Sequence, residues 1–600
     1  MIKTHLTRHT HFFFFATVAT LALVSLSLFG TPPADSARTL VYQFSILGYF
    51  GFLVVLIGLI SLPLSFFYVT RWILPLFLWV WMLYLLIDYY VFDLYGFHVN
   101  LLILEMFFLD FKGMGIPVFL LGLVGVVAVF ILAFSFLLMR WSYFPSHQQV
   151  RLGWVVLVMM LPLFMVQSMI SIWGHRYNRE EITQYSGYFP LFYPVTSSSN
   201  GEKLAEYFSG IFPPVFGEAR ANGETKTGIV RYPLEPLLCE NENPQSILMI
   251  VLESWQADAL RQNVMPNLWS FTQTASHYKH HLSSGTSTVP GLFGLMFGIH
   301  PTYHDLFKTV SHSNPTVLTE TISGQGYRSK VFTSGSLERF ALRTLFFPRV
   351  SDGDYYEDRA DRDLVDRLVK DLRDPVRSNQ PNFDFVFLSS SHSPYYYPEE
   401  FSHFKPLPKV QGGYALNKMA ENMPYKNHYL NSVKYLDSLL GEIISALNEA
   451  GSLDKTWIII TGDHAEEFNE NNLGYWGHGS NFSRWQTHVP LVVRVPGQRV
   501  GASVDRTSTH QDVVPTLMRS VLGCNGASSA YSNGESLFAL PDSRSTVLSS
   551  YFVHAYWVDG VVYERTRPLK YAWDDMGDVD GLQHSKEIRQ LMEQERQFIR

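Results

Sequence analysis

The sequence predicts a chain in two parts: an α-helical membrane domain of five spans, followed by an α/β domain with a mostly parallel central sheet. Two observations carry this. Five apolar runs crowd the first 173 residues, and beyond them short apolar runs of strand length alternate with helical patterns. A third observation, the residue types that follow those strands, points to chemistry at one edge of the sheet.

With 600 residues, a mean hydropathy of +0.05, 45 Phe and 32 Tyr, the chain is too long for one ordinary domain and too apolar to be wholly soluble. The apolar runs cover residues 12–29, 40–69, 73–92, 116–139 and 152–173, each near the ~20 residues that span a bilayer. The first run precedes the small residues of "TPPADSA", as a signal peptide would, but four runs follow and it is long for a signal sequence, so it reads as an uncleaved helix. Lys3, Arg8, Arg71, Arg140 and Arg151 fall on one side of the spans and Arg38 and Lys112 on the other, which places the N-terminus inside the cell. Five crossings then put everything from about residue 174 outside. Asp88 and Glu105 are costly at membrane depth, and placement at the outer interface beside Tyr89, Tyr90 and Tyr95 relieves that cost.

Residues 1–173 hold seven basic and five acidic side chains of the chain's 46 and 53, so the remainder is acidic, with a net charge of −9. That balance excludes nucleic acid as the expected partner. Cys239 and Cys524 both lie in this part, where they either pair across a long loop or stay buried as free thiols. Residues 174–245, rich in Pro, Gly, Ser and aromatics, read as a linker whose tyrosines and phenylalanines suit an interface.

The α/β domain is expected over 246–545, with a C-terminal extension over 546–600 that ends in a charged surface helix. Its strands are "ILMIVLES" (247–254), "YRSKVFTS" (327–334), "NFDFVFLSSSH" (382–392), "TWIIITGDH" (456–464) and "VPLVVRVPG" (489–497). Each is apolar without alternation, as a strand buried on both faces should be. "NSVKYLDSLLGEIISALNEAG" is an amphipathic helix stopped by Gly451. In this fold class functional groups sit beyond the carboxyl ends of the strands.

Those ends carry Glu253, His392 and the pair Asp463-His464. Carboxylate oxygen and imidazole nitrogen together suit a divalent cation, with zinc or manganese favoured and magnesium, which prefers oxygen ligands, less so. The stretch "HHLSSGTSTVPGLFGLMFG" (280–298) clusters five hydroxyls before a helix expected to start near Val289 or Pro290. Two readings stand. The hydroxyls cap the helix, or one of them is a nucleophile activated by the cation, with the helix N-terminus drawing an anionic phosphate or sulfate ester. His478, in the Gly-rich "WGHGS", is either a loop histidine or a donor to a phosphate oxygen or leaving group.

"VLESW", "GTSTVPG" and "TGDHAEE", with "SSSHSPYY" and "GYWGHGS", resemble the alkaline-phosphatase/sulfatase superfamily, in particular its membrane-tethered branch of lipoteichoic acid synthases and phosphoglycerol and phosphoethanolamine transferases. The resemblance implies one divalent metal held by Glu253, Thr288, Asp463 and His464, with Thr288 as nucleophile and Thr286 second, and His392 and His478 on the substrate side. "THQDVVPTLM" looks like the superfamily's late helix motif, with a structural role.

The five runs, "LYGFHVN", "LFYPVT", "VRYPLEPLLC" and "SSGTSTVPGLFGLMFGI" make the whole chain look most like the YejM/PbgA family of Gram-negative inner-membrane proteins. This implies an inner-membrane protein with a periplasmic domain, acting on membrane lipid as a metal-dependent phosphoester hydrolase or headgroup transferase, with a role in lipopolysaccharide and outer-membrane lipid homeostasis. It equally implies a non-catalytic alternative, a lipopolysaccharide sensor whose spans bind the adaptor LapB and so control proteolysis of the deacetylase LpxC. Some family members lack the Asp-His pair, whereas this chain keeps every ligand. The basic pair that some members place after the "YPxT" motif is Ser198-Ser199 here.

Overall fold

A computed structural model describes the chain except residue 1, residues 32, 35, 68–69, 101–102, 105–106, 109–115, 117, 143–146, 177–181 and 183, the segment 195–229, and residues 310–314, 338–340, 359, 416, 552, 566–568, 580–583 and 600. Glu105, Lys112 and Ser198-Ser199 therefore lie outside the described residues. The chain divides into two compact units, residues 1–222 with 566–568, and residues 223–565 with 569–600.

The first unit is helical: α1 (Ile2–Val24), α2 (Ala37–Ser61), α3 (Ile73–Tyr95), α4 (Val118–Trp141) and α5 (His147–Arg176). Four of them, with their short 3-10 extensions, are long and apolar enough to cross a membrane. The fifth covers the expected run, and among the described residues its apolar part is Val158–Gly174. α2 and α5 approach closely because α2 offers glycines. A Cβ on Gly48 would stand 2.4 Å from Leu163 Cβ, and one on Gly51 would stand 2.2 Å from Met160 Sδ.

The linker aromatics have a definite place in this unit. Ile182, Tyr185, Phe189 and Phe192 bury themselves against Tyr42, Ile46 and Phe50 of α2. Asp88 is likewise not turned to an interface. It is fully buried, accepting from the Val99 amide at 2.7 Å and pairing with His98 Nδ1 at 2.7 Å, while His98 Nε2 meets the Gly187 carbonyl at 3.2 Å. The cost of a buried carboxylate is met by these partners, which tie α3 to the turn after it and to the linker.

The second unit is built on an eight-stranded sheet of β1 (Ser246–Leu252), β2 (Ser276–Tyr278), β3 (Arg328–Thr333), β4 (Tyr355–Glu357), β5 (Asn382–Leu388), β6 (Thr456–Gly462), β7 (Leu491–Arg494) and β8 (Ala502–Val504). The spatial order is β8-β2-β7-β6-β1-β5-β3-β4. The sheet is mixed through one strand: β7 runs antiparallel to both β2 and β6, and the other five neighbouring pairs are parallel. The sequence concealed this because a strand's direction is set by the connection before it, not by its own residues.

β1 shows why its apolar run is continuous. Ile247, Met249 and Val251 face one core, shared with the helix α6 (Thr288–Phe297). Leu248, Ile250 and Leu252 face the other, shared with α7 (Asp361–Leu372) and α8 (Met423–Glu449). With period-two side chains and helices on both faces, no position is left for a polar residue. The C-terminal extension forms its own antiparallel sheet, β9 (Ser545–Ser549), β10 (His554–Val558), β11 (Val561–Glu564) and β12 (Lys570–Ala572), which the sequence reading did not anticipate.

Cys239 and Cys524 form a disulfide, settling the two readings of these residues. It joins two short antiparallel strands at paired positions and closes a separation of 285 residues, a constraint on the unfolded chain of about 5 kcal/mol by loop entropy. Denatured without reductant, the full chain should therefore take up no maleimide. Labelling of either cysteine before reduction would contradict the pairing.

Candidate active site

Three parallel strands at the middle of the sheet end in register, with Leu252 of β1 paired to both Leu388 of β5 and Gly462 of β6. The residues just beyond are therefore delivered together: Glu253 after β1, His392 after β5, and Asp463 and His464 after β6. Ser254, held at φ +58°, turns the chain sharply after Glu253 and aims its own amide at Asp463 Oδ1, 2.9 Å away. A non-glycine residue in that conformation costs free energy that the surrounding contacts must outweigh.

Thr288 arrives from the other side as the first residue of α6. The helix sits so close to β6 that a Cβ on Gly291 would lie 2.1 Å from the Asp463 carbonyl oxygen, and one on Gly294 would lie 2.0 Å from Ser284 Oγ. Only glycine allows this approach. Ser283 and Ser284 are used structurally: Ser283 Oγ bonds the carbonyls of Gly285 and Asp463, and Ser284 Oγ donates to the Pro290 carbonyl. The capping reading is not realised, since Ser287 holds the N-cap position but makes no side-chain cap hydrogen bond. The helix also starts one residue before the expected Val289.

Behind the site, His510 from the "THQDVVPTLM" motif spans the gap between the two elements, its ring nitrogens each 3.0 Å from the carbonyls of Gly291 and Gly462. Burial lowers its pKa to about 4 against the raising effect of those carbonyls. Asp512 of the same motif is fully buried and pairs with Arg544 at 2.5 Å.

The acid and imidazole atoms are arranged as a cation would require. Asp463 Oδ1 is satisfied by the Ser254 and His464 amides, while Oδ2 is buried without a hydrogen-bond partner. His464 Nδ1 lies 3.0 Å from the Ala465 carbonyl, so that nitrogen carries the proton and Nε2 presents a lone pair, also buried and unpartnered. The two orphaned atoms are 3.4 Å apart. Facing electron pairs with no hydrogen between them repel, and a divalent ion removes the repulsion. Thr288 Oγ1 lies 3.5 Å from Glu253 Oε1, and its hydroxyl favours the ionised form of Asp463. Asp463 and His464 thus offer two unpartnered donor atoms that fit a metal, with Glu253 and Thr288 close by.

The remaining expected residues join the same cluster. His392 Nε2 is 4.0 Å from Glu253 Oε1, and the His478 ring is centred 4.3 Å from that of His464 and 5.3 Å from that of His392. Glu466 was missed by sequence reasoning although it stands in "TGDHAEE". Its Oε2 lies 2.7 Å from His478 Nδ1 and its Oε1 accepts from the Tyr395 hydroxyl at 2.7 Å. His464, Glu466 and His478 are themselves close enough to hold an ion, with ligand atoms within 4.8 Å of one another. The signal was the acidic residue two positions after His464, beyond the strand where neighbours alternate faces.

The charges are tuned by burial and by one another. Burial pushes Asp463 up to about 7, against the lowering effect of its two amide donors. Burial holds His464 well below its usual range and therefore neutral. For His478 burial acts downward, but the charge and hydrogen bond of Glu466 outweigh it and raise the imidazole above its ordinary value.

Residues 245–523 match the Sulfatase family, and residues 2–239 match a domain of unknown function, DUF3413. The chain is 25% identical over 535 residues to the inner membrane protein YejM of Salmonella typhi, covering 86% of this chain and 83% of that protein. It is 29% identical over 172 residues to human iduronate 2-sulfatase, covering 23% of this chain and 31% of that enzyme. Among solved structures, a protein of the alkaline phosphatase superfamily from Vibrio parahaemolyticus aligns at 18% identity with a TM-score of 0.47, over 62% of this chain and 91% of that one.

Because a proton on Asp463 competes for the same oxygen as a metal, affinity for zinc should fall as the pH drops through about 7 and level off above it. Titration of the metal-stripped full chain with zinc at acidic and alkaline pH checks this. An affinity that does not change with pH would remove Asp463 from the ligand set.

Proposed function

The chain is a relative of the inner membrane protein YejM that carries a sulfatase/alkaline-phosphatase superfamily domain, and from that premise we propose that it is a metal-dependent phosphoester hydrolase or phospho-headgroup transferase acting on membrane lipid. The observation that carries this reading is the pair of buried, unpartnered atoms on Asp463 and His464 beside a helix-initial hydroxyl. Glu253, Thr288, Asp463 and His464 would hold the ion, with zinc or manganese preferred to magnesium for a set containing imidazole. When bound, it supplies Lewis-acid stabilisation of developing negative charge.

The side chains divide the remaining work. Thr288 Oγ1 attacks the phosphorus of a headgroup phosphoester, its proton passing to the Glu253 carboxylate that it faces. The P–O bond to the leaving alcohol breaks, and His478 protonates the departing oxygen. Glu466 suits His478 to this, since bonding Nδ1 fixes the ring and leaves Nε2 directed away from the carboxylate. His392 positions a phosphoryl oxygen. Water or an acceptor hydroxyl, giving its proton to the now neutral His478, then attacks the phosphoryl-threonine ester, and the Thr288 oxygen leaves with the proton returned from Glu253. The helix N-terminus adds amide dipoles that favour the anionic group.

The same reading places the N-terminus in the cytoplasm, makes α5 a fifth span and puts the second unit in the periplasm, where lipid headgroups of the outer leaflet are at hand. Purified full-length protein should hydrolyse an aryl phosphate or a lipid phosphoester, lose this activity to a chelator, and regain it on metal return. Thr288→Ala should lower kcat by at least about 10³-fold. Full activity in that variant would refute the nucleophile assignment.

The likeness to YejM extends through the helical unit as well as the sulfatase-family domain, and this favours a second role carried by the spans: sensing lipopolysaccharide and binding the adaptor LapB, so as to govern LpxC proteolysis. A truncation retaining residues 1–190 should then support growth of a strain lacking the full protein. Failure of that truncation, together with failure of Thr288→Ala, would leave catalysis as the essential role.

A further inference from the structure

Tyr395 ties together the two loops that carry the substrate-side histidines. Its backbone amide donates to the His392 carbonyl at 2.8 Å, closing the turn in which His392 Nδ1 lies 2.8 Å from the Ser393 carbonyl oxygen and Nε2 lies 4.0 Å from Glu253 Oε1. Its hydroxyl donates to Glu466 Oε1 at 2.7 Å, and Glu466 Oε2 in turn lies 2.7 Å from His478 Nδ1. Tyr395 does this at φ +61°, a conformation costly for a bulky side chain. Its ring is buried against Tyr429 and Phe468, with centroids 5.8 and 5.9 Å away. Phenylalanine would fill that space equally well. The hydroxyl instead serves a buried carboxylate whose other oxygen is already committed to His478.

We propose that the Tyr395 hydroxyl is a positioning group for His478, acting through Glu466; this rests on the catalytic reading above, in which His478 protonates the departing oxygen. The terminal torsion of a glutamate is soft, so a carboxylate engaged at one oxygen can still turn. A donor on the second oxygen fixes its plane, and with it the direction of the imidazole that it holds. Hydroxyl, carboxylate and imidazole thus form a chain in which the hydroxyl acts at two removes from the reacting atoms. The His392 and His478 rings are centred 5.3 Å apart. Because Tyr395 grips the turn of one and the partner of the other, it also sets the gap in which a phosphoryl oxygen and a leaving oxygen are handled together.

Y395F keeps the ring and removes only the hydroxyl. The purified full chain in detergent is assayed with 4-nitrophenyl phosphate, whose anion departs without a proton, and with phenyl phosphate, whose oxygen departs more readily with one. Y395F should lower kcat about tenfold on phenyl phosphate and leave it within about twofold of wild type on 4-nitrophenyl phosphate, the second rate also reporting that the variant is folded. E466Q should show the same selective loss, and adding Y395F to it should lower the rate no further. Equal slowing of both substrates in Y395F, slowing of neither, or a double variant in which the two single losses multiply would overturn the role of Tyr395 while leaving the catalytic reading intact. No chelator-sensitive turnover of either substrate by wild type would refute the catalytic reading and this role with it.

Discussion

The common ending of β1, β5 and β6 is the constraint on which the second unit's chemistry depends. Parallel pairing in register places Leu252, Leu388 and Gly462 side by side, and a sheet so arranged presents the next residue of each strand along one edge. Shifting one strand by a single residue would turn its whole apolar set to the other face. The fit of particular side chains into the two cores thus holds the register, and the register holds the site. The functional side chains add little to the stability of this arrangement; Asp463 and His464 are buried with atoms left unsatisfied, a cost borne by the cores on either side.

The second requirement is the close seat of α6. Gly291 and Gly294 let the helix approach the end of β6 to backbone contact, and His510 bridges the residual gap from behind. This is what brings the Thr288 hydroxyl to Glu253 and Asp463 from a different part of the chain. A cluster of hydroxyls that looks interchangeable in sequence is thereby sorted: Ser283 and Ser284 hold carbonyls, Ser287 occupies the N-cap position, and Thr288 faces the acids.

Much of this was legible because it is local. Continuous apolar runs identified the central strands to within a few residues, and what followed each run identified Glu253, His392, Asp463 and His464. What escaped depends on long-range context. The antiparallel course of β7 and the short strands β2, β4 and β8 are decided by connections and neighbours. Glu466 is ordinary in sequence and gains meaning only when a loop returns His478 to within 2.7 Å. Cys239 and Cys524 could not be matched without knowing that the strands carrying them pair, and Asp88 looked suited to an interface until His98 was found beside it.

In this account Thr288 Oγ1, not a neighbouring hydroxyl, carries the phosphoryl group during turnover. Acid quenching of the full chain during reaction with a phosphoester, followed by peptide mapping of residues 280–298, tests this most directly. A phosphoryl or phospho-headgroup adduct on Thr288 is expected. An adduct on Thr286 or Ser287, or continued turnover with no adduct in this segment, would contradict it.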